Sequence, residues 1–111
     1  MIFLTGGTGF TGSYILAELV RQGHAVRALR RKRAIPFYLS REIVEKVEWV
    51  AGDILDVAGL EEQLKGCNRV IHAAGLVSFY PEDKKKLFKI NIEGTANLVN
   101  AALENNITDF I

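Results

Sequence analysis

The 111-residue chain has one cysteine, Cys67, so no disulfide can form within it and a reducing setting suits it. Charge is almost balanced, at a net +1, which argues against a general nucleic-acid role. No apolar run approaches the ~20 residues of a membrane-spanning helix. Met1 leads straight into an apolar run without a basic flank or a cleavage site, so a native start and a cytoplasmic location are expected. Internal repeats and low-complexity tracts are also lacking. What is left, 49% hydrophobic and 24% charged, describes at most one globular domain.

The stretch Ile2-Phe3-Leu4-Thr5-Gly6-Gly7-Thr8-Gly9-Phe10-Thr11-Gly12 organises the rest. A short apolar run ends at Thr5 and glycines follow at 6, 7, 9 and 12. Ser13 to Gln22 then reads as an amphipathic helix, with Ile15, Leu16, Leu19 and Val20 on one side and Glu18, Arg21 and Gln22 on the other. Strand, glycine turn and helix form the setting a dinucleotide fingerprint requires. Lacking Cβ, Gly9 lets backbone approach a pyrophosphate and Gly12 lets the helix pack on the strand. The helix start offers its N–H groups and the positive end of its dipole to phosphate. Gly7 and Gly12 also satisfy G-x-x-x-x-G, but Ser13 and Tyr14 stand where a phosphate loop of the Walker type needs Lys and Ser/Thr. That reading is rejected; a glycine turn in a flavodoxin-like domain without nucleotide is the competing one.

Thr5-Gly6-Gly7-Thr8-Gly9-Phe10-Thr11-Gly12 resembles the nucleotide loop of the extended short-chain dehydrogenase/reductases, the NAD(P)-dependent epimerases, dehydratases and reductases. The resemblance implies a Rossmann-type α/β fold, a doubly wound parallel sheet in the order 3-2-1-4-5 with right-handed crossovers. It also makes Gly6, Gly9, Phe10, Thr11 and Gly12 cofactor-binding residues.

Further along, Gly23 suits a helix C-cap and His24 to Leu29 reads as the second strand, running into Arg30-Arg31-Lys32-Arg33. An NAD-binding Rossmann domain carries an acid about 20 residues past the fingerprint, for the ribose 2′-OH. Here no acid appears until Glu42, and an arginine fork suits a 2′-phosphate instead. Arg30 is the first candidate and Arg31 the second, so NADP is preferred over NAD; a solvated basic loop is the bland alternative. Pro36 disfavours a helix through Ile35 to Ser40, where Phe37, Tyr38 and Leu39 are expected under a crossover, and Arg41 to Lys46 can form a helical turn or two.

Val47 to Ala51 reads as the third strand, ending in Gly52-Asp53-Ile54. By resemblance, Asp53 accepts from the adenine amino group and Ile54 lines the adenine slot; an aspartate in an ordinary strand-to-helix loop is the other reading. Asp56 caps a short helix holding Leu60 and Leu64 and ended by Gly66. Arg69 to Gly75 reads as a buried strand finishing in small residues, which leave room for a ligand at the sheet edge. The resemblance lays Ala73, Ala74 and Gly75 along the cofactor ribose. His72 tempts as an acid–base group, but an imidazole in an apolar strand is more usually a satisfied buried one.

From Pro81, suited to a first turn, the chain is expected to be helical to about Asn105. Leu87, Asn91, Gly94, Leu98 and Ala102 form one stripe; Phe88, Ile92, Thr95, Val99 and Leu103 form its neighbour. Asn91-Ile92-Glu93-Gly94-Thr95 resembles the segment carrying the family's catalytic asparagine, which holds the active-site lysine through water. A capping or helix-breaking asparagine is the alternative. Asn105 to Ile111 reads as a turn and the opening of a fifth strand, at which the domain is expected to be truncated.

The family's serine or threonine and its Tyr-x-x-x-Lys pair would lie beyond residue 111. Tyr80-Pro81-Glu82-Asp83-Lys84 matches that pair literally, but it precedes Asn91, and Pro81 puts Tyr80 outside the helix. It is a decoy, and residues 1–111 are not expected to transfer hydride unaided. The expected function is the NAD(P)-binding part of an oxidoreductase, epimerase or dehydratase; a dinucleotide-sensing regulator on the same fold is the alternative. Arg30 in its strand context is most like the dihydroflavonol-reductase branch. A small-molecule substrate is expected in the longer parent. Neither nucleic acid nor membrane, nor any metal, is an expected partner. An exposed apolar fifth strand invites pairing into a homodimer.

Overall fold

The computed structural model describes residues 1–31 and 38–111. The expectations placed on Lys32, Arg33, Ile35, Pro36 and Phe37 lie outside these residues. Five parallel strands, β1 (Ile2–Thr5), β2 (Val26–Arg30), β3 (Glu48–Ala51), β4 (Arg69–His72) and β5 (Asp109–Phe110), pair in the order β3-β2-β1-β4-β5. That is the expected Rossmann-type order, with β1 at the centre.

The central place of β1 follows from its composition. Ile2, Phe3, Leu4 and Thr5 are all buried, as suits a strand covered on both faces. Alternation sends Phe3 to one side and Leu4 to the other. Phe3 joins Leu60, Leu64, Val70, Leu98 and Ile107 beneath helices α3 (Val57–Gln63) and α5 (Gly94–Glu104). Leu4 joins Leu16, Val26, Ala28, Ile43 and Val44 beneath α1 (Phe10–Arg21) and α2 (Arg41–Glu45). Full burial of one such side chain contributes about 1.5–3 kcal/mol, so two cores meeting on one strand make it the keystone of the sheet.

Several boundaries differ from the sequence reading. Helix α1 starts at Phe10 rather than Ser13, and its buried positions are Gly12, Ser13, Leu16 and Ala17. The glycine loop is therefore shorter than expected, and Gly12 already belongs to the first helical turn. β2 includes Arg30, and β4 stops at His72, leaving residues 73–75 as an irregular edge. The expected Asp56 cap appears, together with a cap at Ser40 that the sequence reading did not single out. Asp56 accepts from the Gly59 amide at 3.1 Å, and Ser40 caps α2 through the Ile43 amide.

The long C-terminal helix is not uniform. A 3₁₀ turn (Pro81–Asp83) leads into α4 (Lys84–Phe88), a π-helical turn covers Lys89–Glu93, and α5 completes it. The π turn widens the ladder by one residue, so a stripe drawn at 3.6-residue spacing changes face there. Gly94, Leu98 and Ala102 are buried as expected, but Asn91 is exposed. Of the neighbouring stripe, Phe88, Ile92, Val99 and Leu103 are exposed.

The tightest contact in the glycine loop is at Gly12, where an added Cβ would sit 1.9 Å from the Gly6 carbonyl oxygen. Because the clash is with backbone, no rotamer change relieves it. Gly12→Ala should lower stability by about 1–3 kcal/mol or more, as overpacking does, read as a drop in the thermal midpoint. An unchanged midpoint would show that the loop and α1 are not held this closely.

Candidate functional site

The site lies at the carboxyl edge of β1, β2 and β4, where open α/β sheets place their ligands. Gly6 leaves β1 with φ of +79°, in the left-handed region that glycine enters without steric cost. A Cβ there would also fall 2.5 Å from the Ala73 carbonyl carbon, so the loop lies directly on the end of β4. The Gly9 amide then donates to the Gly6 carbonyl at 2.9 Å, closing the turn. Gly9 is the N-cap of α1 and has no side chain to turn back onto the first-turn amides. This contrasts with α2 and α3, which Ser40 and Asp56 cap. The start of α1 thus presents polar N–H groups and the positive end of its dipole at the sheet edge.

A cleft of ≈ 270 Å³ opens over this edge. The glycine loop, Arg30 and Arg31, Ile54, Ala73 to Leu76, and Lys86 with Ile90 form its walls. Its volume falls just below the ~300–1,000 Å³ usual for a ligand pocket, which suits part of a dinucleotide rather than all of it. Three cationic side chains and no carboxylate line it among the described residues. Such a wall attracts a multiply charged phosphate compound.

Among the expected residues, Gly6, Gly9, Arg30, Arg31, Ile54, Ala73, Ala74 and Gly75 meet on this cleft. Phe10, Thr11 and Gly12 do not line it. Phe10 and Thr11 are exposed in the first turn of α1, and Gly12 is buried beneath the loop. Asp53 is outside the wall as well. Its Oδ1 accepts from the Leu55 amide at 2.9 Å, the local turn that short acids commonly make. Ile54 is buried and packs under Gly94, where a Cβ would lie 2.7 Å from its Cγ2.

Asn91 stands behind the wall. Its side chain accepts from the Leu76 amide and donates to the Leu76 carbonyl, both at 2.8 Å, so it clamps the strand-to-helix loop in two directions. Tyr80 is the exposed N-cap of the 3₁₀ turn and Lys84 opens α4; neither lines the cleft. The sequence reading missed Lys86 and Ile90. Their i, i+4 spacing puts them on one helical face, but their direction toward the cleft depends on where α4 docks.

His72 is the centre of a directed hydrogen-bond chain. The Thr95 hydroxyl donates to the Asn91 carbonyl at 2.7 Å, so it accepts from His72 Nε2, 2.9 Å away. His72 Nε2 therefore carries a proton. Thr5 Oγ1 accepts from the Ala74 amide at 3.3 Å and donates to His72 Nδ1 at 2.6 Å. Every member is satisfied by a neutral imidazole, and burial pushes the His72 pKa below its ordinary 6.5. The chain joins β1, the end of β4 and the π turn. This is the satisfied imidazole expected from the sequence.

The fold and this edge define a Rossmann-type dinucleotide-binding domain, and the residues present fit such a group. The glycine loop has no room for a Cβ at Gly6 or Gly12, the start of α1 lacks a side-chain cap, and the wall is cationic. The chain belongs to the NAD dependent epimerase/dehydratase family, whose family model matches residues 2–111. It is 39% identical over 99 residues to the sterol-4-alpha-carboxylate 3-dehydrogenase, decarboxylating, of Dictyostelium discoideum, covering 89% of this chain and 29% of that protein. A Synechocystis protein named "Putative dihydroflavonol 4-reductase" is 36% identical over 105 residues, covering 95% of this chain and 29% of that one. The UDP-glucose 4-epimerase of Brucella ovis in complex with NAD superposes with a TM-score of 0.83 at 28% identity, covering 98% of this chain and 34% of that one. The chain thus spans about three tenths of the length of these relatives. The cofactor that this family and fold imply is a nicotinamide dinucleotide. Among the described residues, no helix is long and apolar enough to cross a membrane.

The His72 chain has a consequence for stability. A histidine whose pKa is lowered by folding binds its proton more readily in the unfolded chain. Stability should therefore fall as pH drops below 6.5, and level off once the pH is below the folded value. His72→Asn should flatten this part of the profile, measured as denaturation midpoints from pH 7.5 to 5. An unaltered slope would show that His72 is not held neutral.

Proposed function

We propose that residues 1–111 are the N-terminal part of an NADP-preferring Rossmann domain, in a protein that oxidises, reduces or epimerises a small carbonyl, hydroxyl or nucleotide-sugar substrate. One observation carries the reading: the uncapped Gly9 at the start of α1, the close-packed Gly6 and a cationic wall without a carboxylate among the described residues share a single cleft. The glycine loop, with the amides of Phe10, Thr11 and Gly12, holds the pyrophosphate. Ile54 supports the adenine, Ala73 to Gly75 leave space for a ribose, and Arg30 with Arg31 meets the 2′-phosphate. Asp53 reaches the adenine amino group with whatever capacity its bond to Leu55 leaves. When bound, the dinucleotide supplies hydride exchange at its nicotinamide.

The chain's own part is to bind, orient and exclude water. In this reading Asn91 is the asparagine that steadies a proton-transfer lysine located beyond residue 111. Leu76 takes two of the four hydrogen bonds an asparagine side chain can make, so capacity remains for that task. Support for an enzyme rather than a sensor comes from that asparagine and from relatives named as dehydrogenases and reductases. Pairing with a second copy belongs to the same proposal.

Cofactor preference is the direct test. Arg30→Asp replaces attraction at the 2′-phosphate by repulsion, and should weaken NADP⁺ on the order of ten- to a hundredfold while changing NAD⁺ little. Titration calorimetry with both nucleotides reads the difference. Equal losses would remove Arg30 from that role, and no binding of either nucleotide would refute the proposal.

A further inference from the structure

Arg30 does not stand alone at the end of β2. Its guanidinium carbon lies 5.1 Å from the centroid of the Trp49 ring, within cation–π distance. The register explains the contact. β2 and β3 pair Ala28 with Trp49 and Arg30 with Ala51, so Trp49 and Arg30 are diagonal neighbours, two residues apart in register. Diagonal pairs on one face are within reach when one side chain is aromatic and the other long. Ala28, fully buried beside the indole, takes little of the space between them.

The indole is fixed by bonds that do not involve Arg30. Its backbone is held in the β2–β3 ladder, and its Nε1 donates to the Val44 carbonyl at 3.1 Å, at the end of α2. The ring also packs on the apolar cluster under α1 and α2. Trp49 is therefore a prebuilt platform on which the Arg30 guanidinium rests. A cation–π contact uses the face of the guanidinium, whereas a phosphate is read by N–H groups in its plane. The two interactions do not compete, and the platform removes rotamer freedom before a ligand arrives.

We propose that Trp49 is a positioning residue for cofactor discrimination, holding Arg30 where it reads the 2′-phosphate that separates NADP from NAD. This rests on the NADP reading of Arg30 given above. Trp49 does not line the cleft, so its effect on the nucleotide passes through Arg30.

The test compares Trp49→Ile, Trp49→Phe and Arg30→Ala in the intact protein by titration with NADP⁺ and NAD⁺. Ile suits a strand but offers no π face; Phe keeps a face without the N–H. Trp49→Ile should lower the NADP⁺/NAD⁺ affinity ratio about two- to fivefold, the size of an exposed cation–π contact, with NAD⁺ affinity unchanged. Trp49→Phe should lower it by less, and keeps the question answerable if the isoleucine variant fails to fold. Equal weakening of both nucleotides would make Trp49 merely structural and overturn the proposal. A ratio unchanged in both Trp49 variants but lowered by Arg30→Ala would also overturn it, leaving the reading of Arg30 intact. If Arg30→Ala leaves the ratio unchanged, the underlying NADP reading fails instead.

Discussion

The structure depends on one close approach, that of Gly12 in α1 to the carbonyl of Gly6. With 1.9 Å between a hypothetical Cβ and that oxygen, only glycine lets the first helical turn rest on the loop. Gly6 makes a similar approach to Ala73, just past the end of the neighbouring β4. Together they let the chain leave β1, turn and enter α1 without moving away from the sheet edge. The N-cap of α1, Gly9, consequently lines the same cleft as Arg30, Ile54 and Ala73 to Gly75. A helix start set further out would keep its dipole but lose these neighbours, since the effect of a helix terminus is confined to its first turn.

A second set of contacts keeps this edge in register. Thr5, His72 and Thr95 pass hydrogen bonds in one direction from the Ala74 amide to the Asn91 carbonyl. Asn91 in turn clamps Leu76 through both ends of its amide. Neighbouring strands, the loop after β4 and the π turn are thereby coupled through groups that are all satisfied. Polar networks of this kind specify a geometry only when complete, because a partly satisfied one costs more than an apolar core. Asn91 thus serves both contacts, its carbonyl accepting from Thr95 four residues on and its side chain reaching Leu76.

Much of this was legible in the sequence, for reasons that particular residues make plain. Phe3 and Leu4, adjacent and both apolar, signal a strand buried on two faces, and glycines at 6, 9 and 12 signal a turn onto a helix. Asp56 and Gly66 mark the ends of α3 by ordinary capping chemistry. Other features rest on docking or on backbone geometry that side-chain pattern does not encode. The helix start at Phe10 follows from the contact between Gly12 and Gly6, not from periodicity. The bond that Asp53 accepts from the Leu55 amide takes up part of a carboxylate that a ligand could use, a local turn that short acids in loops often make. Lys86 of α4 and Ile90 of the π turn reach the cleft wall, and Asn91 beside them is off the buried stripe. Trp49 read only as a strand residue until the β2–β3 register set it beside Arg30.

The central claim is that the glycine loop, the basic end of β2 and the end of β4 form one dinucleotide site. Backbone amide NMR during titration with NADP⁺ tests it most directly. The account predicts saturable shifts concentrated at Gly6 to Gly12, Arg30, Arg31, Ile54 and Ala73 to Gly75, with the exposed face of Phe88, Ile92, Val99 and Leu103 undisturbed. Shifts centred on that helical face, or none at the glycine loop at saturating nucleotide, would contradict it.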